Sequence, residues 1–295
     1  MIVVTTPTGL IGHQVLDNLL DSGEALRVIA RDASALPSHV RERLDIVEGS
    51  HSNAAVVDEA FANADAVFWL TPPDPQAPSV EAAFVGFTRP AAEAFKREGV
   101  QRVVGVSALG RGTPWAEHAG YATGSLAMDD LIASNGVAYR ALTNPSFMDN
   151  IVRQAEAIKN QGVFFLAIAS DRQLPSVATR DTAAAASRLL LDESWSGVDE
   201  VPLLGPEDLS FSDMAEIISE VLGKEVRYQQ IPFEAYKDSF VGFGMSEAMA
   251  QGMTDMARAK NEGLDNGVQR TPQNSTPTSF REWCEEVLKP AVLGH

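Results

Sequence analysis

The chain has 295 residues, 45% of them apolar and 21% charged. That balance suits a folded domain and excludes extended disorder and a collagen-like or coiled-coil rod. Lysine and arginine number 23 against 40 aspartates and glutamates, a net charge of −17, which repels nucleic-acid backbones and anionic lipid and argues against general binding to either.

One cysteine, Cys284, excludes an internal disulfide framework and a multi-cysteine metal site. The histidines His13, His39, His51, His118 and His295 lack the paired spacing of a zinc-hydrolase helix, so no metal is expected. No basic segment precedes the first apolar run, and no stretch of about 20 apolar residues occurs; a soluble cytoplasmic protein is the expectation.

The chain opens with an apolar run at 2–4 that predicts a buried strand, then a turn over 5–9. Ile11, Val15, Leu16, Leu19 and Leu20 share a helical face that Gly23 stops. Further strands are predicted at 26–30, 44–47, 66–70, 102–106 and 137–142. Helices at 56–61, 79–98 and 121–134 fall among them. Apolar strands alternating with helices predict an α/β protein with a doubly wound parallel sheet covered on both faces.

Beyond Asn144 the pattern loosens. It predicts a strand at 163–168, a helix at 181–191 and a strand at 201–204 placed to rejoin the sheet. Then come a helix capped by Ser212 and running to 222, and an edge strand at 226–231. A methionine-rich helical stretch follows at 234–263, interrupted near Phe243 and Gly244. After a turn-rich segment at 267–277, Ser279 and Glu282 form a capping-box pattern. Phe280, Trp283, Val287 and Leu288 make that last helix amphipathic, with Cys284 as a small core residue.

The turn Thr5-Thr6-Pro7-Thr8-Gly9-Leu10-Ile11-Gly12 joins a strand to a helix where dinucleotide-binding sheets hold a pyrophosphate on backbone N–H groups. Gly9 permits close approach of backbone to phosphate, and Gly12 permits close packing of helix on strand. An ordinary strand–helix connection is the alternative.

This stretch resembles the TGATGxxG fingerprint of atypical short-chain dehydrogenases, and the NmrA-like branch fits best. The resemblance continues through Val28-Ile29-Ala30-Arg31-Asp32, Val67-Phe68-Trp69-Leu70-Thr71-Pro72-Pro73 and Val106-Ser107-Ala108-Leu109-Gly110. It resumes at Asn144-Pro145-Ser146-Phe147-Met148-Asp149-Asn150 and Thr276-Pro277-Thr278-Ser279-Phe280, and so covers nearly the whole chain. It implies a Rossmann-type domain over 1–150, rejoined by about 176–206, and a smaller C-terminal substrate-binding domain over 151–295. It also implies an NAD(P) cofactor, held at Thr6, Thr8, Gly9, Leu10, Ile11 and Gly12. Thr6 and Pro7 stand where the fingerprint has its first Gly and its Ala. A Cβ and a fixed proline φ oppose the tight turn there and predict a weakened phosphate grip.

Arg31 follows the second strand where an NAD-binding sheet would present an acid. It reads as a ligand for the 2′-phosphate, so NADPH is the expected cofactor and NAD the lesser one; a solvated arginine is the alternative. His13 is either a phosphate contact or an exposed helix residue.

Ligands in doubly wound sheets bind beyond the carboxyl ends of the strands. Those ends carry Thr71, Pro72, Ser107 and Asn144, expected as cofactor contacts. By resemblance, Ser107 takes the place of the catalytic serine and Tyr121 that of the tyrosine in Tyr-x-x-x-Lys. Ser125 stands in the lysine position, on the same helical face but without the charge. A strand-end cap and a packing aromatic are the alternatives. Trp115, Phe147 and Asn150 are expected on the substrate wall, with Met148, Phe243 and Met245, Met249, Met253 and Met256 nearby, although methionines at helical spacing are more often core. The expected function is NADPH-dependent reduction of a small apolar or conjugated carbonyl or quinone-like molecule. The alternatives are a non-catalytic NADP sensor acting through a regulatory protein partner, and a scaffold that binds no dinucleotide. An oligomer is compatible with either function.

Overall fold

The structure, a computed structural model, describes residues 1–294. In the first half, β1 (Ile2–Thr5), α1 (Leu10–Leu19), β2 (Leu26–Ala30), α2 (Ser38–Arg41), β3 (Asp45–Glu48), α3 (Ala54–Phe61) and β4 (Ala66–Trp69) are followed by α4 (Phe87–Arg97), β5 (Arg102–Ala108), α5 (Tyr121–Ser134) and β6 (Ala138–Asn144). Then come β7 (Ser146–Phe147), α6 (Ala155–Gln161), β8 (Val163–Leu166), β9 (Leu174–Val177), α7 (Thr179–Leu191), β10 (Val198–Pro202), β11 (Asp208–Leu209) and α8 (Phe211–Leu222). The chain ends with β12 (Arg227–Gln230), α9 (Phe233–Gly242), α10 (Glu247–Asn261), α11 (Phe280–Trp283) and α12 (Lys289–Leu293).

Seven strands form one sheet in the order β10-β6-β5-β4-β1-β2-β3. Every pairing in it is parallel. This is the Rossmann-type doubly wound sheet expected from the alternation of strands and helices. Strands β1 and β4 are buried throughout because both faces are covered. On one face Val15, Leu16 and Leu19 of α1 pack with Ala183, Ala186 and Leu190 of α7. On the other, Val57 and Phe61 of α3, Ala91 and Phe95 of α4, and Met128 and Ile132 of α5 close the layer. A separate core gathers Ile158, Phe164, Phe211, Ile218, Phe280, Trp283 and Cys284 from the second half.

Strand order reverses between β1 and β4, the switch point at which such sheets leave a crevice. Thr5 bridges the two strands there. Its hydroxyl donates to the Phe68 carbonyl at 2.9 Å and accepts from the Leu70 N–H at 3.0 Å.

Several expectations shift. The helix read over 79–98 opens with a π turn at Ala82–Gly86 and becomes regular only from Phe87. Pro90 lies inside it and has no N–H for the ladder, and a wide turn just upstream is where such a register loss is absorbed. The strand expected at 201–204 starts earlier, at Val198, and runs parallel to β6. The helix expected to start at Ser212 is capped by Ser210, which forms a full capping box with Asp213. Ser279 does cap α11, but the Glu282 carboxylate takes Arg180 at 2.7 Å instead of turning back to the helix start. Strand β12 lies parallel to β8 in a two-stranded ribbon apart from the main sheet.

Candidate functional site

The turn after β1 keeps a tight phosphate-loop geometry although two side chains replace the expected glycine and alanine. Thr6 takes φ +51°, a left-handed conformation that a β-branched residue rarely adopts. Its carbonyl accepts from the Gly9 N–H at 2.9 Å. A Cβ on Gly12 would lie 2.0 Å from that same carbonyl oxygen, so only glycine fits where α1 meets the turn. Gly9 caps α1 without any side-chain hydrogen bond, and no acid lies in the first turn. The first N–H groups of α1, at Leu10, Ile11 and Gly12, therefore face outward with a positive helix end behind them. Ile11 buries its side chain in the core and Leu10 is exposed, so each offers only backbone to a phosphate. The His13 ring bonds back to the Gly9 carbonyl at 2.8 Å.

At the end of β2, Arg31 is exposed. Its neighbour Asp32 is committed elsewhere: its carboxylate accepts from the N–H of Ser34 at 2.8 Å and from its hydroxyl at 2.6 Å. The Asp32 carboxylate is thus occupied as a cap, and the exposed Arg31 guanidinium stands beside it. A buried histidine that the sequence reading did not use, His51, stands behind this edge. Burial lowers its pKa to about 4. It packs edge-on to Trp69 and Phe87 and bonds the Leu70 carbonyl at 3.1 Å.

Beyond the carboxyl ends of β4, β5 and β6 lies a cavity of about 210 Å³. Of the residues singled out from sequence, Thr71, Ser107, Tyr121, Asn144, Phe147 and Asn150 all reach its wall, together with Ser125 and Met256. Pro72 and Trp115 do not. Trp115 is 38% exposed, which corrects its expected place on the substrate wall. The segment behind it is pinned: Thr123 Oγ1 donates to the Ala116 carbonyl at 2.7 Å, and Gly120 packs so tightly on α10 that a Cβ would lie 1.9 Å from the Gly252 carbonyl oxygen. The indole is left facing outward. Phe243, also expected near the substrate, is 91% exposed, and Met249 is buried in a small core cluster.

Asn144 spends its amide inside the protein. It donates to the Leu142 and Ser107 carbonyls at 2.7 and 3.2 Å and accepts from Thr182 at 2.8 Å. It ties β5, β6 and α7 together at the cavity floor and leaves no free amide hydrogen for a ligand. Tyr121 opens α5, packs edge-on to Phe84 with ring centroids 5.7 Å apart, and directs its hydroxyl toward Met245 Sδ at 4.0 Å. Burial, reinforced by Asp74, pushes its pKa up to about 12.

Two charged residues that sequence reasoning missed complete the surroundings. Lys260, on the wall, is paired with Asp265, and both side chains are buried. Asp129 lies under Ser107, whose hydroxyl donates to it, while the Tyr139 hydroxyl donates to its other oxygen at 2.6 Å. Tyr121, Ser125 and Asp129 recur at helical spacing on one face of α5, and that periodicity was the available signal for Asp129. Burial raises the Asp129 carboxyl to about 7, against the two hydrogen bonds it accepts.

Among curated proteins, the NAD(P)H azoreductase of Xenophilus azovorans is 26% identical over 285 residues, 97% of this chain and 96% of that one. Quinone oxidoreductase 2 of Escherichia coli is 22% identical, with 89% of each chain covered. Among solved structures, a Citrobacter triphenylmethane reductase complexed with NADP(H) matches with a TM-score of 0.78 at 21% identity, covering 95% of this chain and 98% of that one, which shows a shared fold. No helix of the described residues is long and apolar enough to cross a membrane. A family model described as NAD(P)H-binding matches residues 7–193, and with the parallel sheet and the open helix end at its switch point, it makes this chain a member of that NAD(P)H-binding family.

Proposed function

We propose that the protein is an NADPH-dependent reductase of the NmrA-like branch, acting on a small apolar or conjugated carbonyl or quinone-like molecule. The observation that carries this reading is the run of sites along one sheet edge. A donor-rich helix start at Leu10–Gly12 and the exposed Arg31 lie at the β1 and β2 ends, and an apolar cavity with hydroxyl groups lies at the β4 to β6 ends. In this reading the α1 N-terminus holds the pyrophosphate, Arg31 the 2′-phosphate, and the cavity the reacting half of the cofactor together with the substrate. In this reading residues 1–150, rejoined by about 176–206, form the cofactor domain, and 151–295 mainly supply the substrate domain, interleaved with the sheet.

Bound NADPH would supply a hydride. Three hydroxyls, on Ser107, Ser125 and Tyr121, line the place where an acceptor oxygen would sit; those of Ser107 and Tyr121 point to Asp129 and Met245, and donate to that oxygen only once turned back to the cavity. The wall formed by Leu70, Val106, Met128, Phe147 and Met256 suits a flat apolar ring and excludes water from it.

The test is NADPH consumption with a panel of quinones, aromatic carbonyls and azo dyes. Turnover of at least one class is expected. Cofactor binding without turnover of any acceptor would favour a sensor that acts through a protein partner. Replacing Arg31 with Ala should erase a preference for NADPH over NADH of roughly tenfold to a hundredfold, the worth of one charge-assisted contact. Equal affinities in the native protein would remove Arg31 from the site.

A further inference from the structure

Asp129 lies beneath the cavity, one helical turn past Ser125 and two past Tyr121 on α5. It is 3% exposed. Ser107 Oγ donates to its Oδ2, and the Tyr139 hydroxyl donates to its Oδ1 at 2.6 Å. Ser107 also faces the cavity, with Ser125 Oγ 3.4 Å away. The cluster is built into the sheet: a Cβ on Gly105 of β5 would lie 2.2 Å from the Tyr139 hydroxyl oxygen, so glycine makes the room that Tyr139 needs to reach Asp129.

A serine hydroxyl has one hydrogen to give. With the carboxyl ionised, both of its oxygens accept, and the Ser107 hydrogen is turned down toward Oδ2. Ser107 then presents only lone pairs to the cavity. With a proton on Oδ2, the carboxyl donates to Ser107 Oγ and the Ser107 hydrogen is released upward. Tyr139 donates to Oδ1 in both states. We propose that Asp129 is a positioning residue that decides whether Ser107 offers the cavity a donor or an acceptor, so that an acceptor oxygen is bound while Asp129 is protonated and loses that hydrogen bond once it ionises. The inference rests on the reading of this cavity as the substrate site.

The change falls near neutral pH, since burial brings the Asp129 carboxyl to about 7. The charged and titratable groups around it do not take over its task. Arg111, after β5, lowers its pKa and Glu200 of β10 raises it, and Arg111 is itself ion-paired with Glu200 and with Asp130 at 3.0 Å. Tyr139 of β6 is held well above its ordinary pKa by burial and stays a neutral donor. Lys260 is paired with Asp265, and the Tyr121 hydroxyl is turned to Met245.

The experiment titrates the full-length protein, free of NADPH, with a naphthoquinone across pH by calorimetry. Native affinity should be level at acid pH and fall roughly tenfold across the Asp129 transition, the worth of one neutral hydrogen bond. Asp129→Asn should hold the acid-side affinity at every pH. Its amide donates to Ser107 Oγ and its carbonyl accepts from Tyr139, copying the protonated acid. Ser107→Ala should bind weakly and without pH dependence. A level native profile, with Ser107→Ala still weakened, overturns the proposal and leaves the cavity reading standing. Ser107→Ala binding as tightly as native at every pH overturns the cavity reading itself, and the proposal with it. Infrared spectra supply a readout that needs no ligand: the stretch of a protonated carboxyl should disappear from the native protein near pH 7 and be missing from Asp129→Asn at all pH. A native spectrum without that band at acid pH also overturns the proposal. The native and Ser107→Ala titrations decide the question even where Asp129→Asn fails to fold.

Discussion

Thr6 holds a backbone conformation that glycine would hold without strain. A left-handed non-glycine residue costs on the order of 1–3 kcal/mol, while glycine costs roughly 0.5–1 kcal/mol in unfolded-chain entropy. Thr6 Oγ1 is also buried without a hydrogen-bond partner. Thr6→Gly should therefore raise stability by about 1 kcal/mol in urea unfolding. Thr6 and Pro7 predict a weakened phosphate grip; the structure closes the turn with the Gly9 N–H on the Thr6 carbonyl and places the strain in Thr6. Gly12→Ala should do the reverse, because its Cβ would collide with the Thr6 carbonyl oxygen. A loss of about 2–4 kcal/mol and of NADPH binding is expected, and an unchanged unfolding midpoint would show that the turn can move aside. Tyr121 carries a second residue-scale prediction. With its pKa pushed up to about 12, about one molecule in 10⁵ is a phenolate at pH 7. Ser125 brings no cation that would favour the phenolate. Carbonyl reduction should therefore far outpace alcohol oxidation near neutral pH, measured as initial rates in both directions, and comparable rates would mean that another group takes the proton.

Among the elements, α8 shows how local chemistry sets a boundary. Ser210 accepts from the Asp213 N–H at 3.1 Å, and the Asp213 carboxylate accepts from the Ser210 N–H at 2.9 Å. Two of the free donors at the helix start are thereby satisfied. Ser210→Ala should cost about 1 kcal/mol, read as a lower urea midpoint, and Ser212→Ala should cost nothing measurable. Three residues after Ser210 stands Asp213, whereas Ser212 is followed at that distance by Ala215, which cannot close a capping box. The six parallel strands of the first half were legible because each is an apolar run bounded by a turn, and four of them are followed by a helical pattern. Strands β7 and β11 were not, since two residues carry no periodicity, nor was β9, whose four residues include Pro175 and Ser176 and make no apolar run. The site was legible to a similar depth. The strand ends bearing Thr71, Ser107 and Asn144 follow from topology, and Tyr121 from the start of α5. Asp129 escaped because an acid on a helix ordinarily faces water, and its partners Ser107 and Tyr139 reach it from two strands. Trp115 misled because a loop's direction depends on what tethers it, here a glycine packed on a helix far along the chain.

Across the whole molecule, two buried groups make opposite demands on protons over the same pH range. The Asp129 carboxyl is raised from 3.8 to about 7. Between those values the folded chain keeps a proton that the unfolded chain has lost, so this group's contribution to stability declines as pH rises. His51 is lowered from 6.5 to about 4. Between those values the unfolded chain holds a proton that the folded chain refuses, so its contribution grows as pH rises. Each slope approaches about 1.4 kcal/mol per pH unit, and they oppose each other from about pH 4 to 6.5. The capping carboxylates Asp32 and Asp213 have lowered pKa values, so their contributions are lost only as pH falls below that range. The native protein should therefore show a shallow stability profile there. Asp129→Asn keeps both hydrogen bonds and removes the falling slope, so relative to native its stability should climb by roughly 3 kcal/mol over that range. His51→Gln can still donate to the Leu70 carbonyl and removes the rising slope, so its stability relative to native should fall by a similar amount. The check is urea unfolding of the three proteins at several pH values. Divergence of the two variants in opposite directions is expected, and parallel profiles would mean that Asp129 and His51 keep in the folded chain the protonation they have in the unfolded one.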